Sequence, residues 1–231
     1  MTTTFITGAN KSLGYETARR LLAAGHTVLV GARDPERGRA AAEALGARFV
    51  QIDVTDDASV AAAVADVAAH EGTVDVLVNN AGISGPHTPA QDLTADDARA
   101  VYETNVFGPL RVTNAFLPLL RTSANPVVVN VTSGLGSFAA THDPERIESQ
   151  VTAPLYTSSK SALTMLTTQF AKALPDVKFN AVDPGYTATD FNAHSGPQTI
   201  TEGTDAIVEL ASIGKDGPTG QFRDRAGVVP W

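Results

Sequence analysis

The sequence predicts a doubly wound α/β fold, a parallel sheet of about seven strands with helices on both faces. Three observations carry this. Short apolar runs alternate with alanine-rich amphipathic stretches along most of the chain, which is the pattern of successive βαβ units. The first apolar run passes through a glycine-containing loop, TGANKSLG, directly into an amphipathic stretch. The length of 231 residues suits one such unit over 1–231 and leaves little room for a second domain.

The elements follow in order. Thr3–Thr7 is the first strand and Leu13–Ala24 the helix it feeds. Thr27–Gly31 is the second strand; Asp34 then caps a helix over Pro35–Leu45, with proline at the first helical position. Arg48–Ile52 leads to Thr55-Asp56-Asp57, a hydroxyl and two carboxylates at the start of a helix over Asp56–His70. The strand Val74–Val78 precedes a helical pattern over Ala95–Leu120 that contains a break. Pro126–Thr132 and Lys178–Val182 are strands on either side of a helix over Tyr156–Leu174. A helix over Thr201–Ala211 and a weak strand near Gln221–Phe222 complete the chain. Two longer irregular stretches, Gly134–Pro154 and Gly185–Ile200, both follow strand ends, where the ligand crevice of an open α/β sheet lies.

Composition narrows the function. A net charge of −8 argues against non-specific nucleic-acid binding, and no apolar run approaches a membrane span. There is no cysteine, so neither disulfides nor thiolate metal sites can form; with no secretory leader pattern, a cytoplasmic location is expected. Nothing shows metal-ligand spacing.

The opening loop aims backbone N–H groups and the positive end of a helix dipole at one point, a place for a diphosphate. Gly8 permits a tight turn and Gly14 close helix packing. The spacing is neither G-x-G-x-x-G nor a phosphate-binding loop ending in Gly-Lys-Ser/Thr, so an ordinary βα turn stays open on these residues alone. Tyr156 and Lys160 are four apart, on one face of their helix. An ammonium there favours phenolate and brings a poor base toward a useful pKa, although the pair also fits a solvated surface helix. Ser133, at the end of the fifth strand, could bond a carbonyl oxygen beside the phenol.

The TGxxx[GA]xG spacing resembles the cofactor loop of the short-chain dehydrogenase/reductase family. Further motifs follow in that family's order: NNAG at Asn79–Gly82, TNVFG at Thr104–Gly108, VTSGLGS at Val131–Ser137, YTSSK at Tyr156–Lys160 and DPGYTAT at Asp183–Thr189. The resemblance covers essentially the whole chain and implies a Rossmann fold. It implies Tyr156 as general acid/base, Ser133 orienting substrate, Lys160 on the nicotinamide ribose and Asn105 completing a proton relay through water. It places Gly8, Asn10, Lys11, Ser12, Leu13 and Gly14 along the diphosphate, with Ser12 standing where the family has glycine or alanine. Asp53 and Val54 would hold the adenine; Asn80, Ala81 and Gly82 the riboses; Pro184, Gly185, Thr187 and Thr189 would cover the nicotinamide.

An NAD-selective site carries an acid at the end of the second strand. Here that position is Ala32, followed by Arg33, with Lys11 in the loop and Arg37 one turn into the next helix. Cations in place of the acid suit a 2′-phosphate, so NADP(H) is expected over NAD(H). This arrangement resembles the carbonyl-reductase-like branch of the family. The expected activity interconverts a ketone or aldehyde with an alcohol; the alternative is a catalytically silent NADP(H)-sensing regulator on the same fold. Leu135, Phe138, Tyr186, Phe191 and Trp231 suggest a mostly apolar pocket, with His142 and His194 in the same loops. The extra polar stretch THDPERIESQ, at 141–150, would obstruct oligomer faces, so a monomer or homodimer is expected.

Overall fold

The computed structural model describes residues 2–231. Eight strands form one sheet in the order β3-β2-β1-β4-β5-β6-β7-β8. Their bounds are β1 Thr3–Thr7, β2 Thr27–Ala32, β3 Arg48–Gln51, β4 Val76–Asn79, β5 Val127–Val131, β6 Lys178–Val182, β7 Phe222–Asp224 and β8 Gly227–Val228. All neighbours pair parallel except β7 with β8. The chain reverses its direction across the sheet between β1 and β4, and a crevice opens there at the carboxyl ends of the strands.

The central strands are near-continuous β-branched runs because both faces are covered. Ile6, Val28, Val30, Val78 and Val129 pack on one side, against Leu21 of helix α1 (Ser12–Ala23) and Leu210 of a later helix. Phe5, Leu29, Leu77, Val128 and Phe179 pack on the other, with the Phe116 ring tilted against that of Phe5 at 4.6 Å. Strand alternation thus sorts one apolar sequence into two cores.

The remaining helices are α2 Pro35–Leu45, α3 Asp57–His70, α4 Ala95–Tyr102, α5 Gly108–Leu120, α6 Phe138–His142, α7 Pro154–Ala173, α8 Ile200–Gly203 and α9 Asp205–Ala211. The Asp34 side chain accepts from the amides of Glu36 and Arg37, and Gly46, at φ 65°, closes α2 in a left-handed cap. Asp56, not Thr55, caps α3. The break expected inside Ala95–Leu120 is a π-helical turn over Glu103–Phe107. That extra residue in the turn redirects Asn105 inward, where it is fully buried.

The last strand region extends further than the expected Gln221–Phe222. Asp224 accepts hydrogen bonds from the Ala226 and Gly227 amides and folds a hairpin that adds β8, an eighth strand beyond the seven expected. Too short to show periodicity, β8 exists because Asp224 makes the turn. The stretch 134–154 is not irregular throughout: it holds two 3₁₀ turns, Gly134–Gly136 and Ile147–Gln150, on either side of α6.

Candidate active site

The glycine loop between β1 and α1 is braced from β4. Thr7 Oγ1 accepts the amides of Asn80 and Ala81 at 3.0 and 3.1 Å, and the Asn80 side chain donates to the carbonyls of Thr7 and Gly8 at 2.9 and 3.2 Å. Asn80, expected along a ribose, is therefore first a strut of the loop. A Cβ on Gly14 would lie 2.5 Å from the Gly8 carbonyl oxygen, so only glycine lets α1 start against the loop. Ser12 adopts φ 49°, a left-handed conformation that costs a non-glycine residue and is kept only where surroundings enforce it. Leu13 reaches toward Gly203 of α8.

Two expected phosphate ligands have protein partners. Lys11 Nζ lies 3.3 Å from Asp190, the Ser12 hydroxyl donates to the same carboxylate at 3.4 Å, and His194 closes on it at 3.0 Å. These contacts join the glycine loop to the segment after β6 and hold Asp190 ionised below the usual carboxylate range, chiefly through Lys11. At the end of β2, Ala32 is buried and Arg33 exposed, with no acid at the strand end, while Arg37 pairs loosely with Asp34 at 3.6 Å. Asp53 Oδ1 accepts both the amide and the hydroxyl of Thr55, at 3.0 and 2.7 Å, closing a local turn. The Val54 carbonyl accepts from Arg111 at 2.6 Å.

Ser133, Tyr156, Lys160 and Asn105 converge from four elements. Ser133 follows β5 by two residues, accepts the Leu135 amide at 3.2 Å and lies near enough to the Tyr156 phenol to pull its pKa down against burial. Lys160, one turn along α7 and 4% exposed, donates to the Val131 carbonyl at 2.8 Å and lies 5.6 Å from the centre of the Tyr156 ring. Asn105 Oδ1 accepts the Ile83 amide at 2.9 Å, and its Nδ2 donates to the Ile83 carbonyl and Ser159 Oγ at 2.8 and 3.0 Å. A Cβ on Gly82 would come within 3.3 Å of Asn105 Oδ1 and 3.5 Å of Lys160 Nζ, so that glycine keeps open the space in front of both.

The electrostatics correct one expectation. The phenol was expected to be lowered by its ammonium neighbour; instead its pKa is raised, because burial of the hydroxyl outweighs the Ser133 hydrogen bond and Asp183 adds a negative charge. Tyr156 is only partly buried as a whole residue, but its hydroxyl end is enclosed by protein. Burial lowers Lys160 to about 8. The pair therefore stands as a protonated phenol ready to donate, beside a cation close to titration.

After β6, Asp183 Oδ1 accepts the Gly185 amide at 2.9 Å and starts a turn in which Gly185 takes φ 70°. Thr187 is buried with its hydroxyl on the Pro184 carbonyl at 2.9 Å, and the Thr189 amide donates to Asn192 at 3.1 Å. The expected apolar pocket is realised in part. The Phe191 ring lies 5.4 Å from that of Tyr156, but Phe138 is 70% exposed and Trp231 packs on Phe222 at 6.0 Å. A cavity of about 410 Å3 beside the Pro184-Gly185 turn is lined by Arg146, Glu148, Asp183, Gln198 and Arg225 among others, and by none of the expected pocket residues. His142 bonds the Phe138 carbonyl within its own short helix at 2.7 Å.

Asp183, Glu148 and Asp190 belong to this site and were not singled out from the sequence. Asp-Pro-Gly is a recognisable Asx-turn signal that could have marked Asp183. Glu148 pairs with Arg146 two residues away and Asp190 with His194 four residues away, but what brings Asp190 to the glycine loop is Lys11 and Ser12, far away in the chain. Among the described residues no group of three or more His, Asp or Glu could hold a metal, and no helix is long and apolar enough to cross a membrane.

The residues suit a dinucleotide. The loop opens toward a helix N-terminus, a Cβ at Gly8 would approach Ala81 Cα to 3.1 Å, and Gly82 leaves a gap before the buried lysine. Comparisons agree. The short chain dehydrogenase family model matches residues 2–199. The short-chain dehydrogenase anuI of Penicillium roqueforti is 38% identical over 225 residues, covering 90% of this chain and 88% of that protein. The (+)-neomenthol dehydrogenase of Arabidopsis thaliana is 32% identical, with 96% of each chain covered. Among solved structures, NADPH-bound carbonyl reductase from chicken fatty liver superposes with a TM-score of 0.88 at 28% identity, covering 99% of this chain and 98% of that one.

Proposed function

The chain belongs to the short-chain dehydrogenase family, and from that premise we propose that it is an NADP(H)-dependent oxidoreductase interconverting a ketone or aldehyde with an alcohol, with Tyr156 as general acid/base. The observation that carries this reading is a phenol enclosed beside Ser133 with a buried lysine one turn along the same helix, 5.6 Å from its ring centre.

In reduction, Ser133 and Tyr156 both bond the substrate carbonyl oxygen, and Tyr156 delivers its proton to that oxygen as the alcohol forms. The raised phenol pKa suits donation, since the proton is held until negative charge develops on the oxygen. Bound nicotinamide supplies the hydride to the carbonyl carbon, or accepts it from the alcohol in the reverse direction. Lys160 binds the nicotinamide ribose from its place against the Val131 carbonyl. Asn105, held by the Ile83 backbone and Ser159, supports the path by which water returns the proton.

With the cofactor bound, Arg33 would meet the 2′-phosphate and the glycine loop would hold the diphosphate. Asp53 and Val54 hold the adenine, although the Val54 carbonyl is shared with Arg111. Relatives named as a carbonyl reductase and a neomenthol dehydrogenase support small carbonyl or alcohol substrates.

The test is NADPH oxidation with a panel of cyclic and aliphatic ketones and aldehydes. Tyr156→Phe should lower kcat about 10²- to 10⁴-fold while NADPH binding, followed by nicotinamide fluorescence, stays within a few fold. Undiminished turnover in that variant would remove Tyr156 from the mechanism.

A further inference from the structure

One arginine joins the end of β3, the start of α3 and the π-helical turn before α5. Arg111 lies on α5, and its side chain is mostly buried. Its Nη1 donates to the Val54 carbonyl at 2.6 Å, its Nη2 to Glu103 Oε1 at 2.8 Å, and its Nε to Asp57 Oδ1. Val54 is itself buried, and a Cβ on Gly108 would lie 2.9 Å from Val54 Cγ2, so only glycine at the start of α5 lets Val54 pack this closely. The main chain of Val54 is thus held by the guanidinium and its side chain by the helix.

The residues beside it are fixed as firmly. The Asp53 amide donates to Ser59 Oγ at 2.8 Å, and Asp53 Oδ1 accepts both the amide and the hydroxyl of Thr55. Among the described residues no protein group bonds Asp53 Oδ2 or the Val54 amide. One acceptor and one donor on consecutive residues are therefore left over. They complement the edge of adenine, which offers a donor on N6 and an acceptor at N1.

We propose that Arg111 is a positioning residue for cofactor recognition: its three-way grip fixes Val54 so that the Val54 amide and the Asp53 carboxylate read the adenine edge as a pair. The inference rests on the adenine placement in the function proposed above. A guanidinium presents several donors in one rigid plane, which lets a single side chain meet a carbonyl and two carboxylates at once. Its charge is not what the cofactor uses, because Asp57 and Glu103 both pair with it. Without Arg111 the Val54 carbonyl is left unpartnered in a buried place, and the segment gains by turning that carbonyl toward water. Such a turn takes the Val54 amide out of register with Asp53.

The experiment compares two dinucleotides of equal charge, NADPH and its hypoxanthine analogue, by nicotinamide fluorescence titration. Hypoxanthine carries an acceptor at position 6 and a donor at N1, the reverse of adenine, so it presents an oxygen to Asp53 and a hydrogen to the Val54 amide. Wild type should bind NADPH at least 10-fold tighter than the analogue, as a site built on paired hydrogen bonds does. In Arg111→Met, which keeps the apolar stem and suits a helix, the NADPH dissociation constant should rise about 10-fold and that of the analogue less than threefold, so that discrimination falls to threefold or less. A general loss of structure or of positive charge would weaken both dinucleotides equally, and equal weakening overturns the proposal. So does unchanged discrimination. A wild type that does not discriminate overturns the adenine placement together with the role of Arg111. Carbonyl turnover plays no part in this readout, so a protein that reduces no carbonyl but loses discrimination in Arg111→Met overturns the proposed reaction and leaves the role of Arg111 standing. Should Arg111→Met not fold, Arg111→Gln, which is also uncharged and too short to reach all three acceptors, must show the same fall in discrimination; if it does not, the proposal fails.

Discussion

The two halves of the cleft are built by different means. On the β1–β3 side, the glycine loop is set by backbone: steric exclusion at Gly8 and Gly14, and a strut from Asn80 to two carbonyls. On the β5–β7 side, side-chain carboxylates do the joining. Asp183 holds the Gly185 turn and crowds Gly134, Glu148 crowds the same glycine, and Asp190 reaches back to Lys11 and Ser12. A backbone-built half can be specified by short spacings in the sequence. The half built by side chains depends in part on distant partners, as where Asp190 meets Lys11 and Ser12.

The comparison is sharpened most by Arg33, which stands on the backbone-built side yet is proposed to act through its charge. Arg33→Ala should raise the NADPH dissociation constant roughly 10- to 100-fold and that for NADH less than threefold, measured by fluorescence titration at fixed salt. Equal losses for both cofactors would mean that this side recognises the dinucleotide by shape alone.

The same difference explains what could be read beforehand. β1, β6 and α2 have the expected bounds because each is a buried apolar run or carries its own caps. The serine, tyrosine, lysine and asparagine proposed for catalysis, spread over 105–160, were legible as motifs in a known order. Their chemical state was not. A spacing of four residues puts an ammonium beside a phenol, but it says nothing about enclosure, and enclosure raised the phenol where its neighbour was expected to lower it. The apolar pocket is realised only in part for a similar reason. Phe138 sits on a helix of five residues with its ring in solvent, while Arg146 and Arg225, from segments about eighty residues apart, meet around one cavity. Asp56 replaced Thr55 as the cap of α3 because the Thr55 hydroxyl is used by Asp53.

A second, smaller effect tests the cost of the side-chain-built half. Burial lowers Lys160 from 10.5 to about 8, so the native state holds this proton less tightly than the unfolded chain does. The burden is fully present below pH 8, shrinks as pH rises from about 8 to 10.5, and is gone above that range. A shift of this size corresponds to a burden on the order of 3 kcal/mol, less about 1 kcal/mol for the bond to Val131 that is lost on substitution. Lys160→Met should therefore raise Tm at pH 7 by roughly 4–8 °C by calorimetry, with the gain vanishing near pH 10.5, while activity is lost. A pH-independent gain would indicate better packing rather than relief of a buried charge.

The smallest effect concerns the contact that joins the two halves. Lys11 and Asp190 are both substantially exposed, so their ion pair is weak and salt-screened. It still matters for which anion Lys11 serves. With Asp190 accepting from Lys11, Ser12 and His194, the loop cation is partly neutralised where the cofactor phosphates are proposed to lie. Asp190→Asn keeps the shape and removes the competing charge, so NADPH should bind tighter by up to about fivefold at low salt, with the gain fading as ionic strength rises past the point where the Debye length falls below 10 Å. Weaker binding instead would reverse the relation. Asp190 would then be holding Lys11 and the strained Ser12 in the conformation the phosphates require, and the carboxylate that closes the substrate half would also be organising the cofactor half.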